Sequence, residues 1–224
     1  MARGGFDLRL RNPCSILLAG VSQSGKTTFA FNLLRSIDKV FQDPRCKQNI
    51  IFYYNIWQHS YERFKKERIV KDWINHLPTV DELKEITESF VKKGGSIIIF
   101  DDFAEALTKD VLDCFTILCN HTKSVVILMS QNLFSKNKYF RGISLNSNYI
   151  VLFKMVRDKS QIVNFAKQFA KGKTQGVVEA FEEATKRPYT YMLFDSHMMS
   201  SDEIRVRSNI LPHEGHPVVW RRRR

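Results

Sequence analysis

The stretch GVSQSGKTTF (20–29) lies between the apolar run CSILLA (14–19) and the helix-like AFNLLRSIDKVF (30–41), and its reading decides the fold. Gly20, Gly25, Lys26 and Thr27 satisfy the spacing G-x-x-x-x-G-K-[ST], a signal that gains weight when a buried strand precedes it and a helix follows. Both are written into the flanks. Glycines in such a P-loop let backbone N–H groups wrap phosphates, and the following helix turns its positive end toward them. On this reading Gly20, Val21, Ser22, Gln23, Ser24, Gly25, Lys26, Thr27 and Thr28 cradle the phosphates of ATP. Lys26 reaches the β- and γ-phosphates, and the Thr27 hydroxyl holds Mg²⁺. The competing reading is a structural glycine turn.

A P-loop needs an acid for its metal, and SIIIFDDF (96–103) offers one at the carboxyl end of an apolar run. Asp101 is placed to hold Mg²⁺ through its water shell. Asp102, one residue on, is placed to polarise the water that attacks the γ-phosphate; the alternative is that it caps a helix starting near Ala104. A third run, SVVILMSQN (124–132), ends in Ser130 and Gln131. Gln131 can donate to a γ-phosphate oxygen and accept from the attacking water, although polar residues end many strands.

Outward from these motifs the chain alternates strands and helices. Apolar runs at 14–19, 49–54, 96–100, 124–130 and 148–153 read as strands of a parallel sheet covered on both faces. Helical patterns fill 26–41, 60–74, 80–92, 104–120 and 160–171. The one at 80–92 opens on a capping box, Thr79 with Glu82, and stops at Gly94-Gly95. A short acidic helix over 177–186 and PYTYMLFD (188–195), read as a late edge strand, complete the pattern. The expected fold is α/β, a three-layer P-loop NTPase sandwich with a mostly parallel central sheet. One ATPase domain is expected over 1–212, followed by a basic tail, 213–224.

Composition sets limits on partners. Lys and Arg number 35 against 23 Asp and Glu, a net charge of +12, and the chain ends WRRRR. A polyanion is the expected partner, a nucleic acid or an acidic membrane surface. No apolar run approaches the roughly 20 residues of a membrane span, so no membrane insertion is expected. Four cysteines without disulfide-framework spacing suit a reducing, intracellular setting. Cys114, Cys119 and His121 do not have zinc spacing and read as packing residues, HEGH (213–216) reads as a loop, and RFKKER (63–68) as a solvated helix face.

The set GVSQSGKT, SIIIFDD, VILMSQNLF and RGISLNSNYIVLFKMVRDKSQI (141–162) resembles the viral genome-packaging ATPases of the FtsK/HerA superfamily, in particular the poxvirus-type and Polinton-type packaging proteins, over about residues 12–211. The last block is the most specific to that group. The resemblance implies a RecA-like fold with a strand inserted between the P-loop strand and the metal-acid strand. It also implies a homo-oligomeric ring, a pentamer or hexamer, that pumps double-stranded DNA into a capsid, with a capsid or portal-vertex protein as partner. The host site of virion assembly, nucleus or cytoplasm, or the virion itself would be its location. Asp102 departs from the wider superfamily, where Glu is common. A ring ATPase completes its site with an arginine from the neighbouring subunit, and Arg141 is the candidate, with Arg157 its competitor. A P-loop kinase acting on a small molecule and a DNA helicase or translocase outside packaging are the alternatives.

Overall fold

We describe the protein from a computed structural model covering residues 6–170 and 172–221. Strand β1 (Cys14–Ala19) leads through the P-loop into α1 (Lys26–Arg35), followed by α2 (Ile37–Val40), β2 (Ile50–Tyr54), α3 (His59–Lys66) and β3 (Asp72–Ile74). Next come α4 (Val80–Val91), β4 (Ile97–Asp101) and a continuous helix made of α5 (Lys109–Asp113), a π-helical turn (Cys114–Leu118) and α6 (Cys119–His121). The chain continues with β5 (Val125–Ser130), α7 (Phe140–Asn146), β6 (Tyr149–Phe153), α8 (Ser160–Phe169) and α9 (Thr174–Ala184), and ends with β7 (Tyr191–Asp195), β8 (Val206–Ser208) and β9 (Val218–Val219).

These strands form one sheet in the order β3-β2-β4-β5-β1-β6-β7-β8-β9 among the described residues. The first six in that order run parallel; β7, β8 and β9 add on antiparallel. Successive residues of each central strand point to opposite faces. Leu17, Ile98 and Val126 therefore join a core under α4, α5, α8 and α9, while Ile16, Ile97 and Ile127 join a second core under α1, α2 and α3. The result is the expected three-layer α/β sandwich. β5 lies between β1 and β4, so a strand does separate the P-loop strand from the strand ending in Asp101.

Several boundaries differ from the sequence reading. The helix expected over 60–74 stops at Lys66, Arg68 takes a left-handed φ of 55°, and Asp72–Ile74 pairs with β2. Trp73 explains the change: its ring packs 4.9 Å from Phe52 and 5.5 Å from Tyr61, so this short segment gains more from the aromatic cluster than from another helical turn. The helix expected from 104 begins only at Lys109, with Thr108 as its cap. The intervening turn is fixed by the Asn137 side chain, which donates to the carbonyls of Glu105 and Leu107 at 3.1 Å each. The strand expected at the edge is internal, since β8 and β9 extend the sheet beyond β7. β9 lies within the stretch set apart above as a tail; Lys171, at the end of the helix expected over 160–171, and Arg222 to Arg224 lie outside the described residues.

The antiparallel extension is locked by a buried ion pair. Arg207 on β8 donates to Asp195 on β7 at 2.6 Å and to the Leu8 carbonyl at 2.9 Å, with both charged side chains almost wholly buried. Among the described residues no helix is long and apolar enough to cross a membrane.

Candidate nucleotide-binding site

β1 delivers the P-loop at its carboxyl end, and the loop's shape follows from its residues. Gly25 adopts φ 104°, a left-handed value that favours glycine, and caps α1 directly. Gly20 is held by proximity: a Cβ there would sit 2.7 Å from Phe153 Cβ on β6 and 2.7 Å from Ser24 Oγ. Gln23 is also left-handed, at 61°. Alternating conformations of this kind turn successive N–H groups into one concavity, an anion nest. The N–H groups of the first turn of α1, which a helix leaves without internal partners, open toward the same concavity. Ser24 Oγ is buried and has no hydrogen-bond partner among the described residues, which leaves its O–H a donor suited to a phosphate oxygen.

The Lys26 ammonium lies across the loop, donating to the carbonyls of Gly20 at 2.5 Å and Val21 at 3.0 Å. Burial lowers its pKa, while the carboxylates of Asp101 and Asp102 pull it back up. The three charges thus share one site.

β4 and β5 supply the other half. Asp101 ends β4 in register with Met129, and Ser130, the next residue on β5, accepts the Gly20 N–H at 3.1 Å. Asp101 is 4% exposed. Burial raises its carboxyl to about 6, against the hydrogen bond from the Tyr61 hydroxyl and the charge of Lys26, both of which favour the anion. Asp102 follows with φ 64°, a left-handed conformation uncommon outside glycine. The Asn55 side chain donates to its carbonyl at 3.2 Å. Gln131, just past β5, donates to its carboxylate at 3.2 Å. The capping alternative fails, because the next helix starts at Lys109 and is capped by Thr108.

The structure therefore brings Lys26, Asp101, Asp102 and Gln131 together at the carboxyl ends of the central strands. The metal donors expected there, the Thr27 hydroxyl at the start of α1 and the Asp101 carboxylate, are hard oxygens, the chemistry Mg²⁺ prefers. Tyr61 donates to one Asp101 oxygen, and the Asp102 backbone N–H also favours the Asp101 anion. Arg141 is not part of this cluster. It is exposed on α7, the helix leading to the amino end of β6, whereas Arg157, also exposed, follows the carboxyl end of β6, the end that packs on Gly20.

Sequence reasoning missed Tyr61 and Asn55, which fix the two aspartates. Tyr61 and Phe64 are spaced as an ordinary apolar helical pair, so no local signal separates the phenol that reaches Asp101 from a core ring. The other features stand as follows. Cys114 and Cys119 are buried in the core. On α3, Lys65 lies over Trp57 and Arg63 pairs with Glu67, with their charged groups toward solvent. Residues 212–214 of the HEGH region form a 3₁₀ turn.

No family model and no curated protein matches the sequence. Among solved structures the chain is similar to a KaiC-like protein from the hyperthermophilic archaeon Pyrococcus horikoshii, at 12% identity and a TM-score of 0.46, over 94% of this chain and 91% of that one. At that identity and TM-score the likeness assigns no function to this chain.

Proposed function

We propose that the chain is an ATPase that couples hydrolysis to movement of double-stranded DNA, working as a homo-oligomeric ring that packages a viral genome. The observation that carries the enzymatic part is the meeting of Lys26, Asp101, Asp102 and Gln131 at the mouth of a nest with a buried, unpartnered Ser24 hydroxyl. Net charge of +12 and the resemblance in 141–162 support the DNA and packaging parts.

Each residue has a task in this reading. The loop amides and Lys26 bind the triphosphate, the ammonium turning from the Gly20 and Val21 carbonyls to the β- and γ-phosphates. Mg²⁺, held by Thr27 and Asp101, supplies neutralisation of charge on the phosphate oxygens. Asp102 accepts the proton of the attacking water, and Gln131, already hydrogen-bonded to Asp102, orients that water against the γ-phosphate. Gln131, hydrogen-bonded to the base, would on this reading also contact the γ-phosphate and so distinguish ATP from ADP.

The test is ATP turnover with and without duplex DNA. Stimulation by DNA supports the motor; phosphate appearing on a small acceptor would make the protein a kinase. Lys26→Ala is expected to weaken ATP binding. Asp102→Asn is expected to bind ATP at near-parental affinity while slowing hydrolysis by on the order of 10²-fold or more. Parental turnover in Asp102→Asn would remove this residue from the mechanism.

A further inference from the structure

Tyr189 is 71% exposed, yet its backbone is held at φ 64°. A bulky residue in the left-handed region carries conformational strain that surrounding structure must hold in place. The supports are visible. Thr190 Oγ1 donates to the Arg187 carbonyl at 2.7 Å, and Lys154 Nζ donates to the Lys186 carbonyl at 2.9 Å, fixing the turn before β7. Two residues on, the Tyr191 ring packs 4.6 Å from Phe29 and 5.8 Å from Phe153, beneath the P-loop, and its hydroxyl donates to Glu214 at 2.5 Å. The turn is thus anchored to α1 and β6 while the Tyr189 ring stays in solvent.

Its position relative to the nest gives the strained ring a use. A Cβ built on Gly25 would lie 3.4 Å from both Cβ and Cδ1 of Tyr189, so the side chain flanks the loop at the start of α1. β7 runs antiparallel to β6 with Tyr191 opposite Phe153, which sets this turn at the P-loop edge of the sheet, on the side of β1 away from Asp101. On the P-loop reading, a nucleotide whose γ-phosphate faces Asp101 and Asp102 would extend its ribose and base away from them, toward the side of β1 on which Tyr189 stands.

We propose that Tyr189 is a stacking platform for the base of the nucleotide, a binding residue for a nucleoside triphosphate. This rests on the P-loop reading given above. The ring offers a π-face and no hydrogen-bond code, and stacking of this kind tolerates any base. Tyr189 therefore contributes affinity without choosing between ATP and GTP.

The experiment compares equilibrium affinities for MgATP, MgGTP and inorganic tripolyphosphate with Mg²⁺, in the parent, Tyr189→Gly and Tyr189→Phe. Glycine suits the left-handed backbone, so the loop keeps its shape when the ring is removed. In Tyr189→Gly both nucleotides are expected to bind at least about fivefold more weakly, the low end of one base–aromatic stack, with tripolyphosphate unchanged. Tyr189→Phe is expected to bind all three like the parent. Parental nucleotide affinity in Tyr189→Gly, nucleotide loss in Tyr189→Phe, or equal weakening of tripolyphosphate would overturn the platform while leaving the P-loop assignment standing. A parent that binds none of the three ligands would overturn both.

Discussion

Asp101 shows how burial sets the chemistry of a single residue. The end of β4 removes it from water, and its carboxyl rises from the ordinary 3.8 to about 6. The folded chain therefore holds this proton more tightly than the unfolded chain. Its contribution to stability is fully present below the unfolded value and is lost as pH rises through about 6, a loss of about 2–3 kcal/mol. In buffer without metal or nucleotide, Asp101→Asn is expected to be more stable than the parent by about 2 kcal/mol at pH 8 and equal to it near pH 3, below the unfolded value. Urea unfolding at the two pH values checks this; a difference independent of pH would assign the effect to packing. A bound cation offsets the same cost, so the strain at Asp101 is a reason for the site to take up metal. Tyr61 works in the same direction, since its hydrogen bond favours the anion that a metal needs.

Among the elements, the antiparallel extension β7-β8-β9 depends on charge as well as on apolar burial. Asp195 and Arg207 meet with 2% and 1% of their side chains exposed, and the Arg207 Nε–H finds no acceptor among the described residues. Removing one partner leaves the other charged and desolvated. Asp195→Ala is expected to cost about 3–5 kcal/mol, read as a shift in the urea midpoint, whereas replacing both by apolar residues of similar volume recovers most of that loss. Recovery failing in the double variant would mean that Asp195 matters through its other contacts, the His197 N–H at 2.9 Å and the Ser200 hydroxyl at 2.9 Å. β7 also carries the turn that presents Tyr189, so this pair, remote from the phosphates, fixes the sheet edge beside them.

For the whole molecule, the candidate site lies at the carboxyl ends of the central strands, and the proposed ring would complete it with a neighbour's arginine, because a guanidinium arriving on assembly neutralises charge building on the γ-phosphate. Arg141→Ala and Lys26→Ala subunits are each expected to hydrolyse ATP poorly, and mixing them is expected to restore some turnover at interfaces where an intact P-loop faces an intact arginine. Full DNA-stimulated activity in Arg141→Ala alone would move the role to Arg157. What the sequence determined by itself is the part written in contiguous residues. The strand-glycine-helix frame of 14–35 and the continuous apolar runs specify a P-loop in a parallel, doubly covered sheet, because local backbone needs and two-sided burial leave their mark residue by residue. The Thr79 and Glu82 capping box was legible for the same reason and is present. Only the tertiary structure decided which distant residues meet. An apolar strand carries no label for its neighbours, so the placing of β5 between β1 and β4, which joins Gln131 to Asp102, depends on how the whole sheet packs. The three-residue β3 is too short for a period, and the internal position of β7 rests on β8 and its buried ion pair. Tyr61 on Asp101 and Tyr189 beside Gly25 are likewise meetings across the chain, made by packing energy that no local pattern of residues encodes.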